Sequence, residues 1–171
     1  MEGFYEEVIG SRSFASIWYW IVYALMWTRA THWTLGVPYE DARNAIVLGG
    51  RHMVDFETQM EINMRKRVAL YRAHPAILVA LAAFLLATVF MLGFWFRIQF
   101  MQATFLLIFP LTIVSLLSVR LAVRLSERQL GGEELYRAYV WHRRAKQVIG
   151  GVAIFFAAFW GVSQTLFSPY A

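Results

Sequence analysis

The chain has no cysteine among its 171 residues. That absence excludes a thiolate nucleophile, a cysteine-ligated cluster and any sulfur relay carried by the chain itself. Charge is scarce too: 16% of residues are charged against 59% hydrophobic, and mean hydropathy is +0.49, too apolar for a soluble domain. Four stretches, Ser13–Thr28, Pro75–Phe96, Ile98–Val119 and Gln147–Ala171, contain no Asp, Glu, Lys or Arg at all. Ionisable groups buried in mid-span mark ion and proton paths, so their lack argues against a monomeric transporter. Also missing are a Gly-rich phosphate loop, a serine elbow, an H-E-x-x-H zinc motif and the paired Glu-x-x-His of di-iron bundles. Glu2, Glu6 and Glu7 stand where a signal peptide would carry basic residues, and no small-residue cleavage site follows the first apolar run.

What is present is a membrane pattern. A hydrocarbon core of about 30 Å takes roughly 20 apolar residues in a helix, and three of the four stretches reach that length. The first spans if Arg29 snorkels and the helix runs on through Ala30, Thr31 and Trp33. The expected fold is all-α and integral to the membrane: one domain, a four-transmembrane-helix bundle with spans at about 13–34, 75–96, 98–119 and 148–170. Two cytoplasmic helical segments, about 35–74 and 120–147, lie between the spans. Fourteen of the 16 Lys and Arg residues fall in Arg29–His74 and Arg120–Lys146. The positive-inside bias therefore places both termini away from the cytoplasm, a multi-pass protein with N-out and C-out ends. Topology and anionic lipid account for the net charge of +5, which calls for no nucleic-acid partner.

The first span bunches Trp18, Tyr19, Trp20, Tyr23 and Trp27, which suits either a lipid-facing anchor or a helix that meets a partner. Pro38 followed by Glu40 and Asp41 is a helix start. One long helix is expected from there to about Arg72, weakened at Gly49–Gly50. Its apolar positions Ala42, Ile46, Gly49, Met53, Phe56 and Met60 step in threes and fours, an amphipathic face for membrane or partner. The candidate partner-binding residues are accordingly Ile46, Met53, Phe56, Met60, Trp18 and Trp20. Small residues at Ala76, Ala80, Ala83 and Ala87 of the second span, and at Ala153, Ala157, Gly161 and Thr165 of the fourth, predict that these two helices pack closely. The second and third spans form a tight hairpin around Arg97, and Pro110 should kink the third. Thr104, Thr112, Ser115 and Ser118 of that span can bond across helices or back to their own backbone. Arg120, Arg124 and Arg128 recur at four-residue steps on one helical face, where phospholipid headgroups are the expected counter-charge.

Four histidines, His32, His52, His74 and His142, all fall on the inner side. Two neutral imidazoles from different helices ligate a haem iron, so His74 with His142 or His32 would form a haem b site in the alternative reading. His52, Asp55, Glu57 and Glu61 cluster in sequence without metal-ligand register and read as a solvated face, so no metal is expected.

The segments RSFASIWYWIVYA, HWTLGVPYEDARNA, FMQATFLLIFPLTIVSLLSVRLAVRL and AKQVIGGVAIFFAAFWG together resemble a family of small bacterial inner-membrane proteins labelled "component of SufBCD complex". The resemblance implies the bacterial inner membrane, and docking onto the cytoplasmic machine that assembles iron–sulfur clusters. It brings no catalytic residues. The function expected is non-enzymatic: an accessory or anchoring subunit that binds membrane lipids and a larger complex, with iron–sulfur assembly proteins among the candidates. No resident cofactor belongs to that reading. A haem- or quinone-linked electron carrier and an oligomeric pore stand as the alternatives.

Overall fold

A computed structural model describes residues 17–128 and 130–167. The N-terminal tail, the first four residues of the apolar run from Ser13, Gln129, the last four residues of the chain and the side chains of Thr165 and Phe167 lie outside the described residues. Helix α1 runs over Ile17–His32, and a two-stranded antiparallel hairpin follows, β1 Trp33–Thr34 and β2 Val37–Pro38. The remaining elements are helical: α2 Tyr39–Leu48, α3 Gly50–Ala73, α4 Pro75–Phe90 with a π-helical turn Met91–Trp95, α5 Gln99–Arg128 and α6 Gly132–Phe167. Three helices are long and apolar enough to cross a membrane: Pro75–Trp95, Gln99–Arg128 and Gly132–Gln164. Helix α6 has 36 residues and α5 has 30, so at 1.5 Å per residue they extend for about 54 and 45 Å. Both are longer than a hydrocarbon core of about 30 Å, and each carries its charge at one end, Arg120–Arg128 and Glu133–Lys146.

Two cores divide the molecule. One lies among the apolar stretches and joins Tyr23 and Trp27 of α1 to Val114 of α5 and to Ala153 and Ala157 of α6. The other lies in the charged half, where Phe56, Met60, Met64 and Val68 of α3 pack with Ala122 and Leu125 of α5 and Leu135 and Tyr139 of α6. The Phe56 and Tyr139 rings meet edge to face at 5.8 Å, an aromatic pair of about 1 kcal/mol.

Several expectations need correction. The helix from Pro38 does not continue to Arg72. Gly49 takes φ 62° and Gly50 φ 52°, left-handed values that glycine adopts without a Cβ clash. The chain turns there and α2 doubles back along α3, so that Asp41 and Asn44 line one cleft with Gln59 and Ile62. The alanine stripes of the second and fourth spans do not form a buried contact. Helix α4 buries no residue, and Ala76, Ala80, Ala83 and Ala87 are exposed while Leu78, Ala82, Leu86 and Val89 are half-buried. The small residues of α6 receive α1 instead. A Cβ on Gly150 would sit 2.8 Å from the Trp27 ring, a position only a glycine fills without displacing the indole. Glu133–Lys146 and the last apolar stretch lie in one helix, α6, which runs through the Gly150–Gly151 pair without a break.

Candidate functional site

The charged half of the molecule is organised by the β-hairpin. Trp33 pairs with Pro38 and Thr34 with Val37, which leaves a two-residue turn of Leu35 at φ 53° and Gly36 at φ 81°. Positive φ at both positions is the turn whose twist suits a hairpin, and leucine is an unusual occupant of the first. Burial holds it there: Thr34, Leu35 and Val37 are each no more than 1% exposed. Three side chains from other helices take the hairpin carbonyls. Asn63 Nδ2 donates to Gly36 O at 3.3 Å, Tyr139 OH to Val37 O at 3.1 Å, and Lys146 Nζ to Trp33 O at 3.0 Å. Lys146 also reaches Ala30 O at 2.6 Å, in the last turn of α1 where carbonyls have no helical partner. Burial pushes the Tyr139 phenol up to about 12, so it remains a donor at neutral pH.

One turn of α6 from Lys146, His142 is buried and its Nε2 lies 2.9 Å from Ser118 Oγ. The same hydroxyl donates to Val114 O at 2.8 Å, so the imidazole nitrogen is the donor to it. Burial, followed by repulsion from Lys146 and Arg67, holds the His142 pKa down at about 4. The imidazole is neutral at physiological pH.

A groove of about 710 Å³ opens between α3 and the α5–α6 turn. Its floor is apolar, with Met64, Val68, Leu125 and Leu135, and its rim carries Glu61, Arg65, Arg72 and Glu127. Glu57 closes one end by accepting the Gly132 N–H, which places a carboxylate at the α6 N-terminus, where the helix dipole favours it. A groove of this size is within the range that holds a small ligand or a few partner side chains.

The sequence-predicted residues distribute unevenly over this surface. Phe56 and Met60 are at most 1% exposed and belong to the core, so they have no surface to offer a partner. Their apolar face is consumed by α5 and α6 because α2 and α3 form a folded hairpin rather than a free amphipathic rod. Met53 and Trp20 are half-buried, while Ile46 and Trp18 are exposed. Arg120, Arg124 and Arg128 all face outward on α5. Of the proposed haem ligands, His32 and His74 are exposed and His142 is committed to Ser118. Among the described residues no group of three or more His, Asp or Glu is arranged to hold a metal.

Asn63, Gln102, Tyr139 and Lys146 were not anticipated. Gln102 is buried among the spans, donating to Gly93 O at 2.9 Å and accepting from Trp160 Nε1 at 3.1 Å. The signal was available there, an amide inside an apolar run, whereas a lysine in a basic run does not announce its burial. Comparison with protein-family models, with curated proteins and with solved structures returns no match.

Proposed function

We propose that the chain is a non-enzymatic membrane anchor. In this reading four helices cross the bacterial inner membrane with both ends outside, and they hold a folded helical module against the cytoplasmic face. The groove between α3 and the α5–α6 turn receives a segment of a partner protein. The observation that carries this reading is the groove itself, a buried apolar floor with a mixed-charge rim in the part of the molecule that lies beyond the apolar stretches. The asymmetry of Lys and Arg supports the orientation. The first span is supported by its two faces: Ile17, Trp18, Ile21, Val22 and Leu25 point outward, while Tyr23 and Trp27 pack against the other helices. That outward face is what lipid would cover.

The resemblance to proteins named for an iron–sulfur scaffold makes that scaffold the first partner to seek. The test is a photo-crosslinking amino acid at Ala69, an exposed position in the groove wall, in native membranes. A discrete adduct is expected from Ala69, and none from the same probe at Val47, which is exposed on α2 away from the groove. Adducts that are absent at both sites, or identical at both, would overturn the docking role.

A further inference from the structure

Lys146 is one of two lysines in the chain and is 2% exposed. An ammonium has three N–H donors, and the carbonyls of Ala30 and Trp33 take two of them. Arg143 stands one turn before Lys146 on α6, and Arg67 stands on α3 one turn beyond Asn63, which holds the same hairpin. Burial first, and then these two arginines, push the Lys146 pKa down to about 8, which leaves it charged at neutral pH. The Arg143 guanidinium lies over the Tyr39 ring at 3.6 Å, and its Nε is buried without a hydrogen-bond partner. Among the described residues none of the three cations forms an ion pair with a carboxylate. Among the described residues the one ion pair is Arg137 with Glu133, on an exposed face.

The lack of counter-charge has its origin in the sequence. No Asp or Glu occurs between Glu61 and Glu127, or after Glu134. The parts of α3 and α6 nearest the apolar stretches are therefore purely basic; Glu57, Glu61 and Glu127 line the groove, and the carboxylates next in sequence to the Tyr39 ring, Glu40 and Asp41 of α2, form no ion pair with Arg143. Buried charge is normally paired, because removing it from water without a partner costs several kcal/mol. The three cations differ in exposure. Arg67 is exposed, Arg143 is half-buried and Lys146 is buried.

We propose that Arg67, Arg143 and Lys146 form a binding site for a phosphate group at the cytoplasmic edge of the membrane, carried by an anionic lipid headgroup or by a soluble phosphate compound. Guanidinium groups match phosphate oxygens in pairs, and the uncommitted ammonium N–H adds a point charge behind them. The site is separate from the groove and from the outward face of Arg120, Arg124 and Arg128, and it does not depend on the docking role.

The test uses the full chain, delipidated in a neutral detergent, with the thermal midpoint followed at constant ionic strength. One arm titrates phosphatidylglycerol against phosphatidylcholine, and the other titrates inorganic pyrophosphate in phosphatidylcholine alone. A saturable rise in midpoint is expected in one arm, and the arm identifies the source of the phosphate. Arg67→Gln and Arg143→Gln should each raise the half-saturating concentration about tenfold, as the loss of a charge-assisted hydrogen bond predicts. Arg51→Gln, exposed at the far end of α3, should shift it less than about twofold. No saturable rise in either arm, or a rise that either site variant leaves unchanged, would overturn the proposal. Lys146→Met is avoided as the primary variant because the ammonium also holds two backbone carbonyls.

Discussion

Acid should destabilise this protein through one residue. His142 is 6% exposed, and burial, with Lys146 and Arg67 adding repulsion, moves its pKa from 6.5 to about 4. The unfolded chain returns the imidazole to its ordinary value. Between the two values the unfolded state binds a proton that the folded state does not, so stability falls as pH falls through that window. Above pH 6.5 this group contributes no pH dependence. One pH unit corresponds to about 1.4 kcal/mol, so a drop from pH 7.5 to 5 should remove about 2 kcal/mol, less if water or headgroups screen the ring. The assay is the unfolding free energy in neutral detergent at pH 7.5, 6 and 5, for the wild type and for His142→Gln. Glutamine keeps a polar partner for Ser118 but does not titrate, so the variant should lose most of the acid-dependent component and also reports what all other groups contribute. An identical acid loss in both proteins would show that His142 is not held neutral by its burial.

Other perturbations test the packing. Gly36→Ala places a Cβ 2.8 Å from Asn63 Nδ2 in a backbone at φ 81°, and should cost about 1–3 kcal/mol in unfolding free energy; a change within about 0.5 kcal/mol would refute the strained turn. Gly150→Val should cost a similar amount by driving into Trp27, whereas Gly151→Val, with nothing within 4 Å of its Cβ, should be tolerated; equal effects at both would show that α1 does not seat against α6 at this point. For orientation, a periplasm-active reporter fused after Ala171 should be active, and one within the Gly131–Gly132 turn should be silent. The opposite pattern would reverse the topology.

The long apolar helices were legible in the sequence because the signal is additive: twenty uncharged residues in a row have few other structures available to them. The break at Gly49–Gly50 was half legible, since two adjacent glycines weaken a helix but do not say whether the chain continues or turns back. Which small-residue stripe would meet which helix was not legible. Ala80 and Ala157 are the same residue type in similar surroundings, and the choice was made by the Trp27 indole needing the space above Gly150. The same limit applies to Phe56 and Met60. An amphipathic face reads alike whether it waits for a partner or is already covered by α5 and α6. The polar contacts of Lys146, Asn63 and Tyr139 with the hairpin were least legible of all, because a lysine in a run with Arg143 and Arg144 gives no sign in the sequence that the fold will bury it.

Those polar contacts also explain how α1 is fixed in place. Helices in lipid gain little from apolar contact alone, since lipid tails are as apolar as leucine, and association rests on close packing and hydrogen bonds. Helix α1 uses both, at opposite ends of one surface. Toward the apolar stretches, Tyr23 and Trp27 lie against Ala153 and Ala157, with Gly150 giving the indole room. Toward the charged half, Lys146 takes the Ala30 carbonyl in the last turn of α1 and the Trp33 carbonyl of β1, and the rest of the hairpin is held by Asn63 and Tyr139. Both sets of partners on α6 lie on the same helix within a few turns of each other. The position of α1 is therefore set largely along α6, with Val114 of α5 and Asn63 of α3 as further supports, and an anion bound beside Lys146 would act on the polar half of that contact.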